Sequence, residues 1–506
     1  MKLQFMKLLH SYFLCFLATT LAAQTNTEIH LFDIVNDGTT ASLVNGKNIS
    51  NNEGYDSQPQ FLAKDILIYA GSLEGQTEIM QYTRGTTRVF NKTTSGGEYS
   101  PQFIIGKRGI SAVRLDTTGL QRLYAYLPRK EETPLLIKDA VVAYYTWADA
   151  QTIVSADIVE DDLHLVIHNI KIGRSNDLGI NVGRSFHKIP NTNLVSFIDK
   201  SEDAWVVKSI DPSSLKIEEI TALIPGVEDI AWLPDGSLLA AKENTVFIKK
   251  KDAQWTSFYS FDDEDLKNIS RFAIAADGSQ IAIVSEVSPG KTVDKHLQPF
   301  NDRNLNAFAD SFTEDVVVRN FFKDTLYKGR DALRNHYETY FKKTATSKVA
   351  VLNRIIKGNI VIDEEEVTVN GVTNKQATIY EVRNGKIASM SFIRDNRDAT
   401  DPQPTVDKQL KSYNEGDIEG FMDLYTDSIA LYHYPTVPEL TERSVITKTY
   451  GDMFTQLPDL KAIINNRIVI GNITIDHEKL FANGNTWYGV AINEVLNGKI
   501  NRVTFL

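Results

Sequence analysis

The chain has 506 residues, a formal net charge of −11 and one cysteine. Its mild, spread-out acidity argues against a nucleic-acid binder, which would show a basic patch. Cys15 falls inside an N-terminal leader, so the chain beyond it has no thiol, which excludes disulfides, thiolate nucleophiles and cysteine metal sites there.

Met1–Ala23 reads as a signal peptide, with Lys2 and Lys7 at the positive end, an apolar Tyr12–Ala18 run and a small-residue site at Leu21-Ala22-Ala23. A buried first helix is the alternative. The run is too short to span a bilayer, which takes ~20 residues. Leu14 before Cys15 is a poor lipoprotein site, so no lipid anchor is expected. No later stretch is long and apolar enough to cross a membrane. The expectation is export to the periplasm or beyond the cell.

Residues 24–287 lack a helical period. Short alternating or apolar runs sit between Gly, Asp, Asn and Pro, which reads as all-β. Polar residues, an aromatic or apolar anchor, a turn and an apolar strand recur in that order. With Phe61, Phe103, Trp147, Ile189, Trp232 and Ile274 as anchors, the steps are 42, 44, 42, 43 and 42 residues. Such a period suggests propeller blades of four strands each. Pro101-Gln102-Phe103, Trp232-Leu233-Pro234-Asp235-Gly236 and Ala276-Asp277-Gly278 resemble the repeats of TolB-like propellers. Six anchors imply six blades, with Glu28–Ile34 closing the ring beside the last one. A series of two-sheet sandwiches is the structural alternative. His164 and His168 lie on a strand-like run, where their spacing separates them by ~13 Å. No metal site is expected there, and the propeller is read as a docking platform for a protein or glycan partner.

Residues 293–393 and 406–506 are two copies of one module. NRIIKGNIVIDEEEV from Asn353 returns as NRIVIGNITIDHEKL from Asn466, at an offset of 113 residues. The same offset pairs Tyr337 with Tyr450, Phe341 with Phe454 and Asn370-Gly371 with Asn483-Gly484. Ser288–Lys291 reads as a linker, and Thr292 suits an N-cap for a helix starting at Val293. Pro299 falls inside that helix. Two helices, a strand, a helix and then three or more strands with Asn-Gly hairpin turns make an α+β module. The domains are drawn at 1–23, 24–287, 288–395 and 403–506.

Tyr413-Asn414-Glu415-Gly416-Asp417, Leu424-Tyr425-Thr426-Asp427 and the closing Asn-Gly-Lys-Ile strand resemble the SnoaL-like fold, which also includes ketosteroid isomerase and nuclear transport factor two. The resemblance covers both copies. It implies a curved sheet wrapped by helices into a cone around an apolar pocket. The isomerase base then falls on Asn320 in copy one and His433 in copy two. The isomerase tyrosine donor falls on His296 and Gln409, so that part of the oxyanion hole does not carry over.

The pocket-lining set is Phe312, Tyr337 and Phe341 with Asn320 in copy one, and Tyr425, Tyr450 and Phe454 with His433 in copy two. Strand alternation puts Ile473, Ile475 and His477 on the pocket side and Thr474, Asp476 and Glu478 on the other. A solvated end of the strand is the alternative for His477. Arg354, Asp363 and Glu365 recur as Arg467, Asp476 and Glu478, which reads as a structural bridge. No cofactor is expected. The preferred function is an exported binding protein whose paired cones pack as an intramolecular pseudo-dimer and hold a small apolar ligand. An isomerase, cyclase or hydrolase with His433 as acid/base is the second reading. A purely structural second module is the third. A core histidine is the alternative role for His433.

Overall fold

The computed structural model describes residues 26–506, apart from 37–40, 91–93, 129–131, 264–265, 323 and 397–398. The expected leader lies outside the described residues. The chain divides into a unit ending at Ser288 and a unit spanning Pro289–Leu506. No described helix is long and apolar enough to cross a membrane.

The described strands of the first unit pair antiparallel throughout, and they fall into consecutive sheets. Asp56–Ala63 opens a four-stranded sheet, Gly97–Phe103 a three-stranded one, Val142–Trp147 a seven-stranded one and Ile230–Trp232 another of four. The long strand Arg174–Lys188 sits in the middle of the seven and serves two neighbours. Its front half pairs with Asp162–Asn169 and its back half with Val195–Asp199. Phe103, Trp147, Trp232 and Ile274 each end the strand that carries them, and Ile189 directly follows one. The turn after Trp232 shows why the sequence stops there. Asp235 Oδ1 accepts from Ser237 N at 2.8 Å, and Gly236 takes a φ of +85°, which glycine alone adopts freely. The last sheet runs Ala41–Asn48, Thr27–Asn36, Gln280–Glu286, Ile269–Ile274. The earliest described strand thus lies against the latest one of the unit, with Ile29 opposite Val284 and Leu31 opposite Ala282.

The second unit contains the repeat. Helix Pro289–Asn301 and helix Leu305–Asp310 lead into strand Phe312–Asn320, and helix Arg330–Lys343 precedes four long strands. The sheet order is Asp324–Lys328, Phe312–Asn320, Lys386–Arg394, Val372–Arg383, Ile360–Val369, Ser347–Lys357, with one parallel pair between Phe312–Asn320 and Lys386–Arg394. Residues 403–506 repeat this order strand for strand, with the parallel pair now Tyr425–His433 and Lys499–Phe505. Asn370, Asn384, Asn483 and Asn497 all have positive φ, as do the glycines after them. Two successive positive φ values twist a two-residue hairpin in the same sense as its strands.

The first helix begins earlier than the sequence suggests. It starts at Pro289, and Thr292 is buried inside it instead of capping it. Proline suits the first helical turn because its missing N–H is unpaired there anyway. Pro299 lies inside the helix, two residues before its end.

Each module has its own aromatic core, around Phe308, Phe312 and Tyr337 in one and Phe421, Tyr425 and Ile446 in the other. A third apolar cluster draws on both modules, joining Ile355, Ile362, Ile379 and Ile393 to Ile468, Ile470, Ile475 and Ile492. Asn353 and Asn466 exchange side-chain hydrogen bonds beside it, at 2.9 and 3.0 Å. The central strands are therefore buried on both faces, one against the helices and one against the other module.

Candidate functional site

Within the first module, a cavity of about 160 Å³ opens between the helices and the sheet. Phe300, Phe308, Tyr337, Tyr340 and Met390 supply its apolar wall. Three polar side chains lie deep in it, each from a different element. His296 comes from helix Pro289–Asn301, Glu365 from strand Ile360–Val369 and Tyr380 from strand Val372–Arg383. They are 4, 1 and 2 % exposed.

Their hydrogen bonds fix their roles. His296 Nδ1–H donates to the Val293 carbonyl one helical turn back, so Nε2 carries the lone pair. Tyr380 Oη donates to Glu365 Oε1 at 2.6 Å and lies 3.3 Å from His296 Nε2. Glu365 Oε2 accepts from Thr378 Oγ1 and from Gln376 Nε2, both at 2.7 Å. Burial pushes the His296 imidazole down to about 4, so it is neutral at pH 7. Burial also raises the Glu365 carboxyl, with the Tyr380, Gln376 and Thr378 donors pulling the other way. Tyr380 has one hydroxyl proton and gives it to the closer acceptor, Glu365 Oε1. The His296 lone pair and the unused capacity of Glu365 Oε1 are left facing the cavity.

The predicted residues distribute unevenly around this site. Tyr337 lines the cavity. Phe312 and Phe341 are packed behind it, Phe312 with its ring 5.9 Å from that of His296. Asn320 is half-buried, and its Oδ1 has no hydrogen-bond partner. It is not part of the cavity wall. Tyr425, Tyr450 and Phe454 gather in the second module around Phe421, with the Phe421 and Tyr450 rings 4.9 Å apart.

Two positions need correction. His433 is not among those rings. Its side chain is 58 % exposed, with Nε2 3.4 Å from Glu439 Oε2. Alternation holds at Ile429 and Leu431, but His433 is the last residue of its strand, beyond a register break at Leu431/Tyr432. The strand has left the core by then. His477 and its neighbours are inverted. Ile473 and Ile475 belong to the cluster shared by the two modules, so the apolar side is the intermodule face. His477 lies half-buried on that side with its ring 5.9 Å from Tyr488. Glu478 is on the helix side. The expectation took the apolar face for the pocket face, and a sheet buried on both faces defeats that inference.

Arg354 and Asp363 do form a bridge. The guanidinium holds both carboxylate oxygens, at 2.6 and 2.8 Å, and reaches Asp294 at 2.7 Å. Arg467, Asp476 and Asp407 repeat it. Each arginine ties the first helix of its module to the sheet. Glu365 does not belong to that bridge. Its place in the cavity, with His296 and Tyr380, was missed because each residue comes from a separate element.

Another cavity, of about 470 Å³, lies in the first unit between Arg184, Glu228, Asp229, Lys242 and Glu286. Glu228 receives Lys200 at 2.9 Å and Arg184 at 3.5 Å, and Asp229 accepts from Phe272 N at 3.0 Å. Among the described residues no group of three or more His, Cys, Asp or Glu side chains is arranged to hold a metal ion. His168 is buried and engaged by Ser155 and Ser175 at 2.9 and 2.7 Å.

Residues 293–390 match the SnoaL-like domain family. No curated protein matches the chain. Among solved structures, an NTF2-like protein of unknown function from Cytophaga hutchinsonii is similar, at 20 % identity over 24 % of this chain and 97 % of that one, with a TM-score of 0.19. A LEH-like epoxide hydrolase from M. tuberculosis matches at 14 % identity over 21 % of this chain and 82 % of its own, TM-score 0.20. A putative ketosteroid isomerase from Kribbella flavida matches at 15 % identity over 22 % and 82 %, TM-score 0.20.

Proposed function

We propose that this chain is an exported ligand-binding protein, built from a six-bladed TolB-like propeller at 24–287 and two SnoaL-like cones at 288–395 and 403–506 that pack as a pseudo-dimer. The leader residues of Met1–Ala23 support export. The anchor period and the pairing of Thr27–Asn36 with Gln280–Glu286 support a closed ring. The repeated strand order and the shared isoleucine cluster support the paired cones. The propeller serves as the docking platform for a protein or glycan.

The first cone holds a small, mostly apolar molecule that carries one hydroxyl. The His296 lone pair facing an aromatic cavity carries this reading. A cavity of about 150 Å³ admits a benzene-sized molecule, so the ligand is of single-ring size. Its hydroxyl donates to His296 Nε2 or Glu365 Oε1. The enzyme reading that assigned acid/base work to His433 loses that residue, whose side chain is 58 % exposed.

Phenol and toluene titrated into the full chain by calorimetry test this. Phenol should bind saturably and more tightly than toluene, and Val367→Phe, which fills the cavity wall, should abolish both. Equal binding of both probes would sink the hydroxyl assignment. Binding that survives Val367→Phe would place the ligand elsewhere.

A further inference from the structure

The second module keeps the carboxylate but not its partners. Glu478 stands on strand Ile473–Ala482 at the position Glu365 holds on strand Ile360–Val369. The three donors to Glu365 are Gln376, Thr378 and Tyr380. The repeat replaces them with Gly489, Ala491 and Asn493. Glycine and alanine have no side-chain donor, and the Asn493 amide turns to Thr474 Oγ1 at 3.3 Å. No described residue donates a hydrogen bond to the Glu478 carboxylate. Every replacement is also smaller.

The surroundings are aromatic. Burial first, and the Glu478 charge after it, push the Tyr413 hydroxyl upward, and the same charge reaches Tyr425 and Tyr450. The Tyr425 hydroxyl already accepts from Gln409 Nε2 at 3.1 Å. Arg467 is committed to Asp476 and Asp407. Glu478 is half-buried, so water still reaches it. Burial is nevertheless the main force on its carboxyl and lifts it to about 7, Asp476 adding to the rise and Arg467 opposing it.

We infer that the second module holds a ligand site of its own, in which the Glu478 carboxylate and the rings of Tyr413, Tyr425 and Tyr450 receive a small cationic amine. An unpaired carboxylate among rings is costly until a cation joins it. The ring faces attract the same cation. The first module offers a cation less, because its glutamate already accepts hydrogen bonds from Gln376, Thr378 and Tyr380. The inference stands whether or not the first cavity is occupied.

The test is calorimetry on the full chain with benzylamine at pH 7, in two buffers of different ionisation enthalpy. Saturable binding is expected, with protons released as Glu478 loses its own. The groups facing it are Tyr413, Tyr425, Tyr450, Asp476 and Arg467, and Asp476 is held in the Arg467 bridge. Glu478→Gln should weaken benzylamine at least tenfold and stop the proton release. Ala491→Thr restores one internal donor while keeping the carboxylate, and it should weaken binding in the same direction. Glu365→Gln should leave benzylamine unaffected. The proposal fails if the native chain does not bind benzylamine, or if Glu478→Gln binds it equally well. Benzyl alcohol binding as tightly as benzylamine would overturn the choice of a cation. Should Glu478→Gln not fold, unchanged affinity in Ala491→Thr decides against the site.

Discussion

Glu365 and Glu478 occupy the same place in two copies of one module and face opposite demands. Glu365 accepts three hydrogen bonds from protein donors, so removing one should cost stability. Tyr380→Phe deletes the 2.6 Å bond to Oε1 and keeps the ring. An expected loss of about 1–3 kcal/mol, the price of an orphaned buried acceptor, would be read from urea denaturation. Glu478 predicts a pH effect instead. Its folded carboxyl sits at about 7, above its ordinary 4.5. The folded state then holds a proton that the unfolded state has released. The stability is fully present below about pH 4.5 and is lost as pH rises through 7, by roughly 2–4 kcal/mol. Asp56 at about 7 and Glu78 at about 8 act in the same sense in the other unit. Glu478→Gln should therefore flatten only its own share, and its advantage over the native chain should grow between pH 5 and pH 8. A constant difference across that range would remove the assignment. At this scale the sequence was least informative. Which carboxylate finds donors depends on Tyr380 or Asn493 one strand away, and no local pattern in Ile360–Val369 or Ile473–Ala482 contains that.

Elements were legible where the chemistry is local. Asn-Gly pairs mark the hairpins, and all four asparagines take positive φ there. They were misread where a strand has two buried faces, because alternation then separates two interiors and not inside from outside. That is why Ile475 pointed to the wrong pocket. The link between helix and sheet gives a test at this scale. Arg354 spans Asp294 on the helix and Asp363, which is fully buried. Burial raises the Asp363 carboxyl even with the guanidinium present. Arg354→Met leaves that carboxylate alone and should cost roughly 3–5 kcal/mol at pH 8, and less as the pH falls, because burial already favours the protonated carboxyl. Arg354→Met with Asp363→Leu should recover most of the loss, since a paired apolar replacement leaves no buried charge. A double variant as unstable as the single one would show that the bridge is not the cause.

At the scale of the whole chain, the repeat was readable because the 113-residue offset runs without insertion, and a duplicated module keeps its register. The consequence of duplication was less visible. One copy's isoleucines are satisfied by the other's, and a sequence does not say which of two apolar faces meets a partner. In the second copy, Ile468, Ile470, Ile475, Val490 and Ile492 are each at most 2 % exposed, and all belong to the cluster shared with the first copy. Cutting the chain before residue 403 would strip that cover. It would also leave Asn466 without Asn353, which now completes a reciprocal pair of amide bonds. A fragment with such a face bare exceeds the apolar patch a monomer usually tolerates. Residues 403–506 expressed alone should therefore self-associate through that face or aggregate, whereas 289–506 should stay monomeric. Sedimentation of the two fragments separates the outcomes. Ile475→Lys in 403–506 should oppose association by placing a charge at its centre. If 403–506 is instead a stable monomer whose melting temperature matches that of 289–506, the shared cluster contributes nothing to stability and the pseudo-dimer is only a neighbourly arrangement of independent domains.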